Sequence, residues 1–474
     1  MAGRDHLDAT VTTPSQLTPL GEWHQPGGAV TTWVPTAATL GAVRHARPSP
    51  VPPSHQQRQH IRAFERFRAE GLAMSRIVVV AWTEPGRCDL EAMTGAIAAH
   101  LQRHDTYASV FENGTDGEIV RSVVEDATEI VFEPATRGEM SWEDFRTSLL
   151  DTPGPLDWDC MRFHVVQYPT HFTVCACIDH VRCDGALIAP VFDDLHFGYL
   201  AHVGLESPMP RPPSVSHVTS CERQAALTES LTTTSDEVVR WTEFLDGAAP
   251  SPFGTVPDAT PCVLTSRPLV DAGTMDAFER VCTGAGRRLV GGVLAVVARV
   301  WEEVVGSPTL RAIVPVTAPE DLGGLGWFTG VVPVVVPVVV PATDQATEPA
   351  IAHAQAAFEA ARHLSRIPPE AVRDLVGVGG APNSTDWTTP LVSLMDFTRP
   401  GVAIGAVATW QKLDGRLLLN EGAAKQVGLW FSRHADGLAL TTAFPDTADG
   451  HGVMDRLVER IGAGFRSVAE SAPR

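Results

Sequence analysis

The sequence predicts an α/β protein with two halves of similar size. Apolar residues at helical spacings of three and four alternate along the chain with short extended apolar runs typical of strands. A proline-rich stretch, residues 205–217, interrupts this pattern near mid-chain. The chain has 474 residues, 44% of them hydrophobic, which is enough for a large core and two to three domain-sized units. We therefore predict two lobes, residues 1–213 and 214–474.

The first half opens with few helix signals and then alternates between the two element types. Ser54 is a candidate cap for a helix with apolar residues at 61, 64 and 67, and Asp89 is a candidate cap for a helix ending near Arg103. Alternating apolar residues predict a hairpin with its turn at Tyr168–Thr170. The predicted strands are 30–34, 77–82, 119–124, 129–132, 161–167 and 172–179, and a further helix covers 139–150.

The second half repeats the mixed pattern. Predicted helices cover 235–245, 272–283, 291–305, 348–363 and 452–468, and predicted strands cover 310–316, 331–340, 391–397, 428–432 and 438–444. The run Val331–Val340 is broken by two prolines and is far too short to span a bilayer, so it is interpreted as a buried strand.

The most informative stretch runs from Cys175 to Gly185. A strand with alternating apolar residues ends at Asp179, and His180 follows directly. Asp184 and Gly185 come three residues later, before an apolar helix in which Pro190 fits only the first turn. Imidazole titrates near neutral pH, so a histidine at a strand end can serve as a general base. The alternative is an ordinary histidine satisfied by its surroundings.

Composition excludes several functions. The formal net charge is −20 and no cluster of Lys and Arg stands out, which argues against a nucleic-acid partner. The eight cysteines contain no C-x-x-C pair, and the N-terminus lacks an export signal, so we predict reduced thiols in a cytoplasmic protein without a transmembrane segment. Neither H-E-x-x-H nor G-x-S-x-G occurs, so no metal is predicted and a serine hydrolase is disfavoured.

Three glycine-containing loops need separate interpretation. Gly377–Gly380 lacks the context of a nucleotide-binding loop, because Pro382 stands where a helix should begin. Gly323–Gly330 carries Trp327 and Phe328 and is either a mobile loop or a lid over a substrate channel. The segment Asp396–Gly401 is either a structural turn or part of a site.

Four segments, in order, resemble one known superfamily. The sequence His180-x-x-x-Asp184-Gly185 resembles the His-His-x-x-x-Asp-Gly motif of coenzyme-A-dependent acyltransferases and nonribosomal peptide condensation domains. Residues 103–111 are similar to a motif that follows the first helices in that superfamily, and Gly326–Pro333 is similar to one in its second half. Pro53–Gln57 resembles its N-terminal Ser-x-x-Gln element.

Within the superfamily, the chain is most similar to Pap-type, polyketide-synthase-associated acyltransferases that esterify trehalose-type glycolipids. That likeness lies in four segments and the resemblance covers most of residues 50–400. Asp179 replaces the first histidine of the motif, and Ala108 and Ser109 replace the usual Arg-Thr pair. The matching segments are 52–60, 85–107, 156–160 and 326–333.

The resemblance implies two chloramphenicol-acetyltransferase-like lobes that form a V-shaped pseudodimer around a central channel. It implies an acyltransferase in which His180 is the general base, Asp184 supports the loop by pairing with an Arg, and an amide near Gly185 stabilises the oxyanion. Further channel residues would be Asp179, Trp327, Thr329, Ser393 and Asp396.

The implied co-substrate is acyl-CoA or a phosphopantetheinyl carrier protein of a polyketide synthase, with no permanently bound cofactor. The acceptor would be a sugar or polyketide alcohol, and the protein would be a monomer. Two alternatives stay open. One is a stand-alone condensation enzyme that forms an amide, and the other is a non-catalytic protein of the same fold that docks to a synthase.

Overall fold

A computed structural model describes most of the chain. The described residues are 17–205, 213–247, 251–257, 260–284, 286–338, 347–377, 388–398, 407–423 and 426–472. The glycine loop 377–380, apart from Gly377, and most of the proline-rich stretch lie outside these ranges.

The strands in these ranges are β1 (Leu17–Pro19), β2 (Gly28–Pro35), β3 (Arg47–Pro48), β4 (Ile77–Pro85), β5 (Ser109–Asn113), β6 (Ile119–Val123), β7 (Phe132–Met140), β8 (Met161–Gln167), β9 (His171–Asp179), β10 (Cys262–Asp271), β11 (Thr309–Val316), β12 (Gly330–Pro337), β13 (Leu391–Asp396), β14 (Arg416–Leu419), β15 (Gly428–His434) and β16 (Gly437–Pro445). The helices are α1 (Ala37–Arg44), α2 (His55–Ala69), α3 (Leu90–Arg103), α4 (Trp142–Leu150), α5 (Ile188–Phe192), α6 (Gly198–His202), α7 (His217–Glu229), α8 (Asp236–Asp246), α9 (Ala272–Gly284), α10 (Leu289–Val305), α11 (Thr347–Ala361), α12 (Pro369–Val376), α13 (Val407–Lys412) and α14 (Ala448–Glu470). A π-helical turn, Asp193–Phe197, joins α5 to α6.

Two large mixed sheets organise the molecule. The first has the order β1-β14-β4-β9-β8-β2-β7, and the second has the order β10-β16-β15-β13-β11-β12. A small third sheet has the order β3-β6-β5. The predicted α/β class is confirmed, and the hairpin of β8 and β9 forms as predicted.

The first sheet is completed by a strand from far along the chain. Strand β14 runs parallel to β1 and antiparallel to β4, with Leu418 opposite Val79. Leu325, Trp410 and Leu417 are also buried in the core of the first sheet. The second half therefore contributes both a strand and apolar side chains to the first sheet. The division at residue 213 remains a prediction.

Asn420, which directly follows β14, fixes the end of this strand in the first sheet. Its side-chain oxygen accepts hydrogen bonds from the amides of Arg76 and Ile77 at 2.9 and 2.7 Å, and its amide group donates to the carbonyls of Met74 and Glu421 at 2.9 and 3.0 Å. One buried side chain thereby hydrogen-bonds four backbone groups, three of them beside the start of β4 and one just after β14.

Two predicted elements in the first half are wrong. The helix predicted from residue 139 begins only after Ser141, whose hydroxyl accepts the amide of Asp144, because Glu139 and Met140 pair with β2. The strand predicted at 129–132 is also wrong, because Glu129 ends a 3-10 turn, residues 130–131 are irregular, and β7 starts only at Phe132. At residues 139–140, local propensity was overridden by pairing with a strand that is distant in sequence. At Val131, the backbone instead bonds Thr36 and Thr39 at the start of α1.

No single helix among the described residues is long and apolar enough to cross a membrane. The successive helices α9 and α10 are long and apolar enough only when taken together, and they are bent by 105° relative to each other.

Replacing Asn420 with Ala should reduce the free energy of unfolding by about 2–4 kcal/mol, because two N–H and two C=O groups of buried or half-buried residues lose their partners. Urea unfolding followed by tryptophan fluorescence would measure the loss. The control is Asn113→Ala at the exposed end of β5, which should change stability by less than about 0.5 kcal/mol. Equal stability of the two variants would contradict this role for Asn420.

Candidate active site

His180 lies where β9 ends. It is the first residue of a 3-10 turn, His180–Arg182, and its amide donates to the carbonyl of Arg76 at 2.7 Å. The chain then passes Asp184 and Gly185 and enters α5, where Pro190 occupies the first turn as predicted. The half-buried side chain of His180 thus projects from a strand end that hydrogen bonds hold in place.

The imidazole of His180 has one available nitrogen. Its ring centroid lies 4.1 Å from that of Trp327. Nδ1 is enclosed and has no hydrogen-bond partner among the described residues, which leaves Nε2 as the nitrogen open to a substrate. Burial lowers the pKa of His180, and the neighbouring His60 lowers it further. Such a histidine is neutral at neutral pH and can accept a proton.

Asp179 is the fully buried residue that precedes the histidine. Its Oδ1 accepts the amide of Val181 at 2.9 Å and lies 2.8 Å from Nε2 of His60, and its Oδ2 accepts from Arg76 at 2.8 Å. Burial alone would raise the pKa of Asp179, but His60 and Arg76 outweigh burial and hold it below the usual value. Asp179 is therefore an ionised structural anchor behind His180.

Asp184 joins the His180 loop to the loop before β12. Its Oδ2 accepts hydrogen bonds from the amides of Phe328 and Thr329 at 2.8 and 2.7 Å and from the Thr329 hydroxyl at 2.8 Å. Its Oδ1 accepts the amide of Ala186 at 2.9 Å. The predicted pairing with an Arg is wrong, because backbone amides and one hydroxyl fill the carboxylate instead. The predicted supporting role is consistent with this geometry.

The arginine within the loop has a different partner set. Arg182 is fully buried and donates to the carbonyls of Thr106, Ser109 and Trp158 at 2.5, 2.9 and 2.8 Å. It fixes the turn after His180 to the segment that follows α3. The sequence alone could not predict this role, because Arg182 could equally well have paired with Asp184.

The glycine-rich loop lies against His180 through Trp327. The same loop also contacts His217 of α7. Nε2 of His217 lies 3.2 Å from the carbonyl of Trp327, and the His217 ring packs edge-on against Phe328. A Cβ at Gly326 would meet the His217 ring at 2.4 Å, so only glycine fits that close approach. The loop therefore packs on α7 on one side and on the candidate base on the other.

His217 belongs to a second buried polar cluster. Arg121 is 2% exposed, and its guanidinium lies 2.9 Å from Gln57 and 3.1 Å from the thiol of Cys221. Burial would raise the pKa of Cys221, but His217 and Arg121 lower it to about 6. Gln57 also donates to the carbonyl of Val181 at 2.9 Å, so this cluster connects α7 and α2 to the His180 turn.

A third cluster joins His104 and Tyr107, from the predicted motif at 103–111, to His100 and Asp194. Asp194 Oδ2 lies 3.0 Å from His100 Nδ1 and 2.8 Å from His104 Nε2. The other ring nitrogens contact the hydroxyls of Tyr107 and Ser214 at 2.9 and 2.7 Å. His100, His104 and Asp194 have the composition of a metal site, but both histidines are already hydrogen-bonded to the Asp194 carboxylate. The cluster is explained as packing of α3 on the π-helical turn.

The remaining predicted residues are Gly185, Ser393 and Asp396, and only Gly185 is exposed. Gly185 is exposed, and a Cβ there would meet nothing within 4 Å, so a ligand can approach its backbone. Ser393 is buried within β13, opposite Trp430 of β15. Asp396 accepts from the amide and hydroxyl of Thr398 and lies 3.5 Å from Arg433. Asp396 thus stabilises a turn at the end of β13.

His60 is the site residue that sequence reasoning missed. Its helix was predicted from the Ser54 cap, and the capping box of Ser54 and Gln57 is present. Its ring lies 5.6 Å from Trp327 and 6.1 Å from His180. Its partner, Asp179, is 119 positions later. The replacement of the usual histidine by Asp179 was the available signal, since a buried carboxylate needs a partner.

No family model matches the chain. Comparison with individual known proteins nevertheless shows its family. It is 32% identical over 470 residues to acyltransferase PapA3 of Mycobacterium tuberculosis, covering 97% of this chain and 98% of the relative. It is 33% identical over 447 residues to the trehalose-2-sulfate acyltransferase PapA2 of Mycobacterium bovis, covering 91% and 92%.

Solved structures agree. The structure of the PapA2 acyl transferase has a TM-score of 0.86 at 31% identity, covering 96% of this chain and all of that one. A condensation domain of the calcium-dependent antibiotic synthetase has a TM-score of 0.67 at 17% identity and shows the shared fold, covering 90% and 98%. The chain belongs to the PapA family of acyltransferases, which confirms the predicted family and enzyme class. An acyl donor is accordingly its co-substrate.

Replacing Asp184 with Ala should lower the free energy of unfolding by about 2–4 kcal/mol, because the amides of Phe328 and Thr329 lose a charged acceptor. Thermal unfolding would measure this loss. Asp126→Ala is the control, since that carboxylate also accepts two hydrogen bonds but is fully exposed. An unchanged melting temperature with lost activity would instead give Asp184 a direct part in the chemistry.

Proposed function

We propose that the enzyme transfers an acyl group from an acyl thioester to a hydroxyl of a trehalose-type sugar, with His180 as the general base. The observation that carries the proposal is the neutral imidazole of His180, which has a single open nitrogen at the junction of two loops. The relatives supply the substrate class. PapA2 is named a trehalose-2-sulfate acyltransferase. PapA1, which is 36% identical over 392 residues, is named a 2'-acyl-2-O-sulfo-trehalose (hydroxy)phthioceranyltransferase.

The chemistry follows from the open nitrogen. Nε2 of His180 removes the proton of the acceptor hydroxyl while the oxygen attacks the thioester carbonyl. The tetrahedral intermediate carries a negative oxygen, for which the exposed backbone at Gly185 is the candidate donor. Collapse breaks the carbon–sulfur bond, and the imidazolium returns its proton to the departing thiolate. The products are an ester and a free thiol.

Transfer is direct in this scheme, without an acyl-enzyme. Cys177 and Cys183 are the cysteines nearest in sequence to His180, but both are fully buried. Burial raises the pKa of Cys177 to about 12 and that of Cys183 well above the usual value. A thiol in that state is a poor nucleophile. The acyl group therefore passes from donor to acceptor in one addition and one elimination.

The donor is acyl-CoA or an acyl group on a phosphopantetheinyl carrier protein, because both present the same thioester. We further propose the two-lobed arrangement with a channel between the lobes, in which the Trp327 loop and Thr329 line the approach to His180. The link between Asp184 and residues 328–329 supports this arrangement, since it joins segments from both predicted lobes.

A mass-spectrometric screen tests the substrate assignment. The enzyme is incubated with acyl-CoAs or acyl-carrier proteins and with trehalose, sulfated trehalose, polyketide alcohols or amines. An acylated sugar supports the proposal. Amide products with no ester would identify a condensation enzyme, and a complete absence of turnover would favour a non-catalytic docking protein.

His180→Ala should lower turnover by at least about 10³-fold, because the general base is lost. The fold should be retained, since Nδ1 makes no hydrogen bond among the described residues. Initial rates and melting curves would be compared with those of His353→Ala, an exposed histidine on α11 that should behave as wild type. Full activity of the His180 variant would exclude it as the base.

A further inference from the structure

We propose that His60 takes up the first proton that binds to the site, and that this keeps His180 neutral as the base. The inference rests on the proposed function, because it assigns a role to a second imidazole beside the proposed base. His60 is accordingly a positioning residue, which acts through the protonation state of His180.

The two imidazoles form a close pair. Their ring centroids are 6.1 Å apart, and both rings contact Trp327. His60 is 6% exposed and His180 is half-buried, so little water screens one ring from the other. A positive charge on one ring therefore disfavours a charge on the other, and the pair binds its two protons in sequence.

Hydrogen bonding determines which ring is protonated first. Asp179 is held as a carboxylate and can only accept hydrogen bonds, so Nε2 of His60, 2.8 Å away, carries a hydrogen. This carboxylate stabilises a cationic His60 directly. Nδ1 of His180, by contrast, is enclosed without a partner among the described residues. The first proton is favoured on His60.

The other charged groups around His180 already have partners. Arg76 binds Asp179, Arg182 donates to three carbonyls, Asp184 accepts backbone amides, and His217 lies behind Trp327 beside Cys221. Burial and His60 lower the pKa of His180, whereas Asp184, the backbone of His180 itself and Asp179 raise it, and the net direction is downward. His60 is thus the neighbouring side chain whose charge opposes protonation of His180.

The decisive experiment is the pH dependence of kcat/KM for His60→Gln. The Gln side-chain amide can still donate to Asp179 but cannot carry a charge. Losing the positive neighbour raises the pKa of His180, so the acid limb of the profile should move to higher pH by about one unit. The plateau at higher pH should fall only several-fold. His451→Gln, which alters an exposed His–Asp pair on α14, is the control and should not move the limb.

An acid limb that stays at the wild-type pH in a folded His60→Gln protein would overturn the inference. If that variant does not fold, histidine-selective NMR titration of the wild type gives the order directly, with the His180 signal assigned from His180→Ala. Protonation of His180 at a higher pH than His60 would also overturn it. Failure of the proposed function is a different result, namely turnover that survives in His180→Ala.

Discussion

The hydrogen bonds of Asp184 to the amides of Phe328 and Thr329 are the interaction on which the site depends. They attach the loop that precedes β12 to the loop that follows β9, although the two are more than 140 residues apart. Because Trp327 directly precedes these amides, the same contact places its ring against His180. The desolvation that keeps His180 neutral is therefore partly a consequence of where Asp184 directs its carboxylate.

A second constraint acts on the opposite side of His180. Asn420 accepts the amide of Arg76, the carbonyl of Arg76 accepts the amide of His180, and the guanidinium of Arg76 binds Asp179. Strand β14, which the second half contributes to the first sheet, thus fixes the segment that holds His180. Residues of the second half support the His180 segment from two directions, so both halves of the chain contribute to this site.

The sequence was sufficient for features that depend on neighbouring residues. The β8–β9 hairpin, the strand end at Asp179 and the helix after Gly185 follow from alternation, turn residues and the position of a proline. Features that depend on distant pairing were missed. Strand β14 has four residues and no distinctive pattern, and the partner of Asp184 is backbone, which has no sequence signature. His60 lies on a correctly predicted helix, but its role depends on a residue 119 positions away.

The replacement of the usual first histidine of the motif by Asp179 depends on residues that lie outside the motif. A carboxylate beside the base would, if unpaired, be costly to bury and would raise the pKa of His180. Here His60 and Arg76 each occupy one of its oxygens, and together they hold the pKa of Asp179 below its usual value. Asp179 is therefore compatible with a neutral His180 only together with residues 60 and 76. The polar residues that set the surroundings of His180, the proposed base, are therefore His60, Arg76, Asp179 and Asp184, and a change at any one of them alters the balance of charge around the imidazole.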